Sequence, residues 1–279
     1  MAEESPKAPI RLLVADLDGT LLDPDGELSP ASIAAVRQCV AAGICVVIAT
    51  ARPPRSSRAI YRQLGLDTPS IHYNGAIVYE FATGRLLLHR PIPGPLAREL
   101  TARALQVDQS AIVSLEVADR WYINRLTQPV KTETERLGFT PDYVGDLDRF
   151  FEHPVTKALI SFPGADTRSA AAALEAALGG RLSFTKSDEG VLQVMNGGVS
   201  KGSAVRFLLD RFSIDPSEAA AVGDAPNDLS MLQVVGLPIA MANGYPEVRA
   251  AAKHITLTND EDGVAVAIRR FILGSQVAK

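Results

Sequence analysis

"IRLLVADLDGTLLD", residues 10–23, is a mostly apolar run that stops at a group of carboxylates, Asp16, Asp18 and Asp23. Ile10 to Ala15 is short, rich in β-formers and followed by a Gly-Thr turn signal, the pattern of a strand buried on both faces of a parallel sheet. Ligands in such sheets sit beyond the carboxyl ends of the strands. Side chains at i and i+2 leave an extended strand on the same side, so Asp16 and Asp18 are expected to face one site while Leu17 packs the other way. Two aspartates beside a glycine are also ordinary turn chemistry, and the rest of the chain has to discriminate between the two readings.

Downstream, "SPASIAAVRQCVAAG" (29–43) offers Ser29 as N-cap, Pro30 at the first helical position and Gly43 as the stop, and "ICVVIAT" (44–50) follows as a second strand. A helix over 53–65 leads to the short strand "SIHYNG" (70–75). Toward the other end, "AAAVGD" (219–224), "LPIAMANG" (237–244) and "HITL" (254–257) read as strands alternating with helices. Strands separated by helices imply the α/β class, a Rossmann-like doubly wound parallel sheet.

Between residues 83 and 190 the pattern changes. "SAIVSLEV" (110–117) and "RWYINRL" (120–126) read as a hairpin, followed by a helix, the strand "TKALISF" (156–162), a second helix and the strand "RLSFTKS" (181–187). This is α+β with antiparallel pairs. The expected organisation is a discontinuous catalytic core, residues 1–82 and 191–279, with an inserted α+β cap (lid) domain over 83–190, and pockets form preferentially at such domain interfaces. In the hairpin, Trp121, Tyr122, Asn124 and Arg125 either aim at a pocket, or Trp121 and Ile123 pack the insertion's own core.

Composition narrows the function. A chain of 279 residues with 47% hydrophobic content can bury a full core, and a net charge of −4 with scattered Lys and Arg supplies no basic stripe for nucleic acid. "MAEESPKAP" has no apolar h-region, and no apolar run approaches the roughly 20 residues of a membrane helix, so no membrane partner and a cytoplasmic location are expected. Cys39 and Cys45, in a helix and the strand after it, have no metal-ligand or C-x-x-C spacing and read as buried thiols, and the four dispersed histidines read as structural.

Four segments end core strands or open core helices with polar residues: "DLDGT" (16–20), "TAR" (50–52), "SKG" (200–202) and "GDAPND" (223–228). In a parallel sheet these ends share one edge, so residues far apart in sequence converge there. Lys201 follows Ser200, a serine at an N-cap position, and so lies in the first turn of a helix, where a cation opposes the dipole at a cost of roughly 0.3–1 kcal/mol. An anion bound at that helix start would reverse the sign. With Asp16, Asp18, Asp224 and Asp228 nearby the site carries excess negative charge, and Mg²⁺, which takes carboxylates, waters and a substrate phosphate, suits it better than any His or Cys set in the chain. Asp16 is then placed to attack phosphorus, and Asp18 to protonate the leaving oxygen and later take a proton from water.

The ordered set D-x-D-G-T-L (16–21), T-x-R (50–52), "GVSKG" (198–202) and "GDAPND" resembles the motifs of the haloacid dehalogenase-like phosphatases, while "NGA" (74–76), the long insertion after it and "IAMANG" (239–244) look like the Cof-type subgroup with an inserted lid. The resemblance implies Asp16 as nucleophile, Asp18 as acid/base, and Thr50 and Lys201 as phosphate binders. Ala51 and Gly75 fall in the same phosphate- and substrate-binding segments, and Arg52 and Asn74 are implied to face substrate or lid. Asp16, Asp224 and the Asp18 carbonyl are implied as Mg²⁺ ligands, with Asn227 and Asp228 completing the metal-side loop. Gly19 and Thr20 shape the turn, and "LLDPDGELS" (21–29) resembles the family's mobile flap. Gln193 and Asn196 before the lysine and Ala225 in the metal loop depart from the usual pattern, which bears on substrate preference and not on the reaction.

The function so implied is an Mg²⁺-dependent phosphatase acting on small phosphorylated metabolites, sugar phosphates or phosphorylated cofactors, through an aspartyl phosphate, as a monomer or weak homodimer. A phosphomutase of the same family and a phosphoryl-receiver signalling domain are the alternatives. A mutase would interconvert sugar phosphates, and a receiver would retain its phosphoryl group.

Overall fold

The computed structural model describes residues 9–186 and 190–274. Chain contacts separate two compact units, one running up to Leu87 and resuming at Ser200, the other Leu88–Val199. In the first unit, β1 (Leu12–Ala15) is buried at every position. Helix α1 (Pro30–Ala41) starts at Ser29, whose side chain accepts the Ser32 N–H, and Gly43 turns the chain left-handed (φ +78) into β2 (Cys45–Ile48). Pro54 opens α2 (Pro54–Leu64), Gly65 caps it in the left-handed region, and β3 (Ser70–His72) follows. Next come β4 (Ile77–Glu80) and β5 (Arg85–His89), which form a three-stranded sheet in the order β3-β4-β5.

The second unit contains α3 (Gly94–Val107), β6 (Ile112–Val117), β7 (Arg120–Ile123), α4 (Gln128–Leu137), β8 (Tyr143–Val144), β9 (Lys157–Ser161), α5 (Thr167–Leu178), β10 (Leu182–Lys186) and β11 (Leu192–Asn196). Its sheet runs β10-β11-β9-β6-β7-β8, antiparallel except at β7 and β8. One sheet face, with Val113, Leu115, Ala158, Ile160 and Val194, buries the apolar stripes of α3 and α5. Trp121 and Ile123 pack with Ile112, Val130 and Phe139, and Tyr122 stacks on Phe150 at 4.0 Å on the opposite face. Asn124 is spent on the Val113 N–H and the Ala111 carbonyl, and Arg125 on the Gln109 carbonyl. The hairpin side chains therefore serve the insertion's own packing.

The chain returns to the first unit with α6 (Lys201–Phe212), β12 (Ala219–Gly223), α7 (Leu229–Leu232), β13 (Leu237–Ala240), α8 (Pro246–Ala251), β14 (His254–Ile255) and α9 (Gly263–Ala267). The main sheet is parallel throughout in the order β14-β13-β12-β1-β2. Leu13 and Ala15 of β1 join α1, α2 and α9 in one core layer, as the doubly wound class requires. Strand order reverses between β1 and β12, and a crevice opens at the carboxyl ends of strands at such a point. No helix among the described residues is long and apolar enough to cross a membrane.

The sequence places the unit boundaries at 82/83 and 190/191, whereas the chain divides at 87/88 and 199/200. The β4-β5 hairpin, turned by "FATG" with Gly84 left-handed (φ +72), prolongs the first segment, and β11 pairs with β9 and β10, which draws residues 192–196 into the insertion's sheet. These three strands are short and none stands between two α-helices, so the alternation that reveals the main sheet does not mark them.

Candidate active site at the β1–β12 switch

Asp16 leaves β1 with its N–H still on Val222 of β12 at 3.1 Å, which sets it beside the start of "GDAPND". The chain then turns through Leu17–Leu21, with Asp18 extended (φ −73, ψ 121) and Gly19 left-handed (φ 76). A side chain at Gly19 would collide with the Asp224 carboxylate, so a close backbone approach as well as the dihedral calls for glycine. Because the strand has ended before Asp16, the same-side rule for i and i+2 does not carry to Asp18. Its carboxylate lies outside the buried cluster and is clasped by Arg52, with Nε 3.0 Å from Oδ2 and Nη2 2.5 Å from Oδ1. Arg52, expected to face substrate or lid, pairs with Asp18 at a partly exposed position.

Lys201 takes its place because Ser200 caps α6 in a reciprocal capping box with Ser203. Its ammonium leaves the helix start and reaches Asp16 Oδ1 and Asp228 Oδ1, each at 2.6 Å, with no solvent exposure. The Gly202 N–H at the same helix start donates to Ser230 Oγ at 3.0 Å. Asp228 is the most heavily bonded of the three: Lys201 holds Oδ1, and the Asp224 and Ala225 N–H groups, each at 3.0 Å, hold Oδ2. Asp224 Oδ1 accepts the Thr20 hydroxyl at 2.6 Å. This leaves Asp16 and Asp224 each with one carboxylate oxygen that no described residue bonds, while both Asp228 oxygens are bonded.

One carboxylate oxygen each of Asp16, Asp224 and Asp228 lies within 4.8 Å of the others. Burial, reinforced by the Asp228 charge and opposed by Lys201, pushes the Asp16 carboxyl up to about 8. Burial also raises Asp224, to about 6, against the Thr20 hydrogen bond. Burial alone would lower the Lys201 ammonium, but Asp16 and Asp228 outweigh it and hold it above its ordinary value. Three buried carboxylates face one ammonium, and the metal-ligating cluster among the described residues is made of carboxylates alone, without imidazole or thiol, a hard-oxygen donor set that fits Mg²⁺.

The second wall comes from the ends of β2 and β3. Thr50 is fully buried; its N–H donates to the Ile71 carbonyl (2.9 Å), its carbonyl accepts from the Asn74 N–H (3.1 Å), and its hydroxyl accepts from the Arg52 N–H (3.1 Å). Ala51, half-buried, lies between Thr50 and Arg52. Tyr73, Asn74 and Gly75 follow with φ of 50°, 52° and 101°. Two non-glycine residues in succession in the left-handed region mark stored strain of the kind that clusters at functional sites. At Gly75 a Cβ would run into the Ser200 carbonyl, so glycine lets this loop touch the start of α6. Asn74 Oδ1 accepts from Asn227 Nδ2 at 2.9 Å, joining this loop to the β12 loop. The contact uses the amide oxygen of Asn74 and the amide nitrogen of Asn227; it does not engage the amide oxygen of Asn227, the atom a metal would take, or the amide nitrogen of Asn74.

Some supporting residues escape sequence reasoning. Asn243 Nδ2 donates to the Gly19 carbonyl (2.8 Å), Asn243 Oδ1 accepts from the Asn259 N–H (3.0 Å), and Asn259 Nδ2 donates to the Leu22 carbonyl (2.8 Å), a chain that holds the turn after β1. "IAMANG" points to Asn243, but nothing in the sequence singles out Asn259 or Ser230.

Residues 13–268 match the family model of the haloacid dehalogenase-like hydrolases. M6_Spy0533 of Streptococcus pyogenes is 30% identical over 269 residues, covering 95% of this chain and 99% of its own. YitU of Bacillus subtilis, a 5-amino-6-(5-phospho-D-ribitylamino)uracil phosphatase, is 28% identical over 265 residues, with 93% of this chain and 97% of its own covered. The crystal structure of TM0651 from Thermotoga maritima matches with a TM-score of 0.84 at 27% identity, over 94% of this chain and 97% of that one. A parallel sheet whose switch point gathers Asp16, Lys201, Asp224 and Asp228, together with a match that spans nearly the whole chain, gives one conclusion: the chain belongs to the haloacid dehalogenase-like hydrolase family.

Proposed function

We propose that the protein is a Mg²⁺-dependent phosphatase of small phosphorylated metabolites that works through a phosphoryl group carried on Asp16. The observation that carries the reading is Lys201, buried and bonded at 2.6 Å to both Asp16 and Asp228. An ammonium has three N–H donors and two are used here, so one donor remains that would serve a phosphoryl oxygen bound against Asp16. The open oxygens of Asp16 and Asp224 would hold the metal, and when bound the metal supplies positive charge that offsets repulsion between carboxylate and phosphate.

Asp16 attacks phosphorus, the bond from phosphorus to the leaving oxygen breaks, and Asp18 gives that oxygen its proton. Asp18 then takes a proton from water, which attacks the phosphoryl group and releases phosphate while Asp16 is restored. Arg52 takes one acceptor site on each Asp18 oxygen and leaves the others for the proton transfers. Thr50 and Lys201 bind phosphoryl oxygens, and Asp228 orients Lys201 and the Asp224 loop. The class of substrate is supported by a relative, YitU, whose name specifies a phosphorylated pyrimidine. Phosphate release from a panel of phosphorylated metabolites, with and without Mg²⁺, tests the reading; sugar phosphates interconverted without release of phosphate would replace it with mutase activity.

A further inference from the structure

His72 is fully buried on β3, outside every group assigned above, with its ring edge-on to Phe81 (centroids 5.7 Å apart, interplanar angle 89°) and to Tyr79 (6.4 Å, 77°). Its two nitrogens have partners of different kinds. Nδ1 lies 3.1 Å from the Arg52 carbonyl, which can only accept, so Nδ1 carries the proton. Nε2 must then accept, and the Ser70 hydroxyl donates to it at 2.8 Å. Burial lowers the imidazole to about 3, which keeps it neutral with this single N–H.

The Arg52 carbonyl receives one other N–H, from Tyr73, at a longer 3.4 Å. Arg52 is followed by Pro53, whose fixed φ and missing N–H restrict the peptide that this carbonyl belongs to. Anchoring the carbonyl therefore anchors the Cα from which the guanidinium reaches Asp18. We infer that His72 is a positioning residue: the relay Ser70–His72–Arg52 fixes the guanidinium that holds Asp18, and so sets the geometry from which Asp18 transfers its proton. The inference rests on the acid/base reading of Asp18 given above.

The test compares leaving-group release in a single turnover for p-nitrophenyl phosphate, whose leaving group needs little protonation, and for an alkyl phosphate, whose leaving group needs it. His72→Phe keeps a ring in place but donates nothing to Arg52, and Ser70 can turn to the Tyr79 carbonyl 3.2 Å away. The expected loss is about 10-fold or more for the alkyl phosphate, in line with the cost of small misplacements in a site, and much smaller for the aryl phosphate. His72→Asn, whose amide nitrogen stands near the position of Nδ1, is expected to restore most of the alkyl rate. Equal losses for both substrates, or no rescue by asparagine, would reduce His72 to a packing residue and overturn the inference. Asp18→Asn, run alongside, separates the two levels. If it shows the leaving-group gap and His72→Phe does not, the inference alone fails; if it shows no gap, the acid/base reading falls first and takes the inference with it. Nitrogen-15 spectra of the wild-type imidazole supply a readout independent of activity: a protonated Nδ1 and a bare Nε2 are expected, and the opposite tautomer would refute the relay.

Discussion

Replacing Asp16 with asparagine should abolish turnover and, in protein stripped of metal by a chelator, raise stability in a way that depends on pH. Asp16 rises from 3.8 to about 8 because it is buried and faces the Asp228 charge. Below the lower value folded and unfolded chains both carry the proton; above it the unfolded chain releases the proton first, so wild-type stability falls as pH rises toward the upper value. Asparagine has the shape of the neutral acid and no proton to lose, so the variant does not share that fall. Each pH unit in this window is worth up to about 1.4 kcal/mol, which sets a ceiling of about 4 kcal/mol between about pH 5 and about pH 8. For a chain of this size that is roughly 2–4 °C of melting temperature per kcal/mol. The Asp224 shift is present in both proteins and cancels to first order. Thermal melts of wild type and variant with chelator at the two pH values provide the measurement. A melting-temperature gap of the same size at both, or a variant less stable at the higher pH, would show that Lys201 already compensates the Asp16 charge and would refute the reasoning.

Lys201→Met should cost about 3–5 kcal/mol, because it strands two buried carboxylates that had a common partner; a melting temperature within a degree or two of wild type would contradict this. Chelation should stop phosphate release while far-ultraviolet circular dichroism stays unchanged, since the sheet and helices make the core without the metal; Mg²⁺ should restore turnover, and Ca²⁺, with its larger and looser shell, should not. Activity undiminished by chelator would refute metal dependence. Gly75→Ala forces a Cβ into the Ser200 carbonyl at a left-handed residue, so its activity should drop together with its stability; a variant with wild-type melting and turnover would mean the loop relaxes freely.

Much of the core was legible because its signals are local and periodic. The buried run of β1, the Ser29 and Ser200 caps, and strands alternating with helices need no knowledge of distant residues to be read. Residue types at strand ends and at the start of α6 likewise point to Asp16, Lys201, Asp224 and Asp228, since a parallel sheet brings those ends to one edge. Contact partners were another matter. Whether Asp18 shares a face with Asp16 depends on where β1 stops, and whether Arg52 meets substrate or Asp18 depends on side chains separated by 34 positions in the chain. The short strands β4, β5 and β11 acquire their roles from pairing, and His72, Ser230 and Asn259 matter only through the atoms they touch. Sequence specifies elements and residue chemistry through short-range propensity, while hydrogen-bond partnership and burial are long-range properties that exist only once the chain has closed on itself.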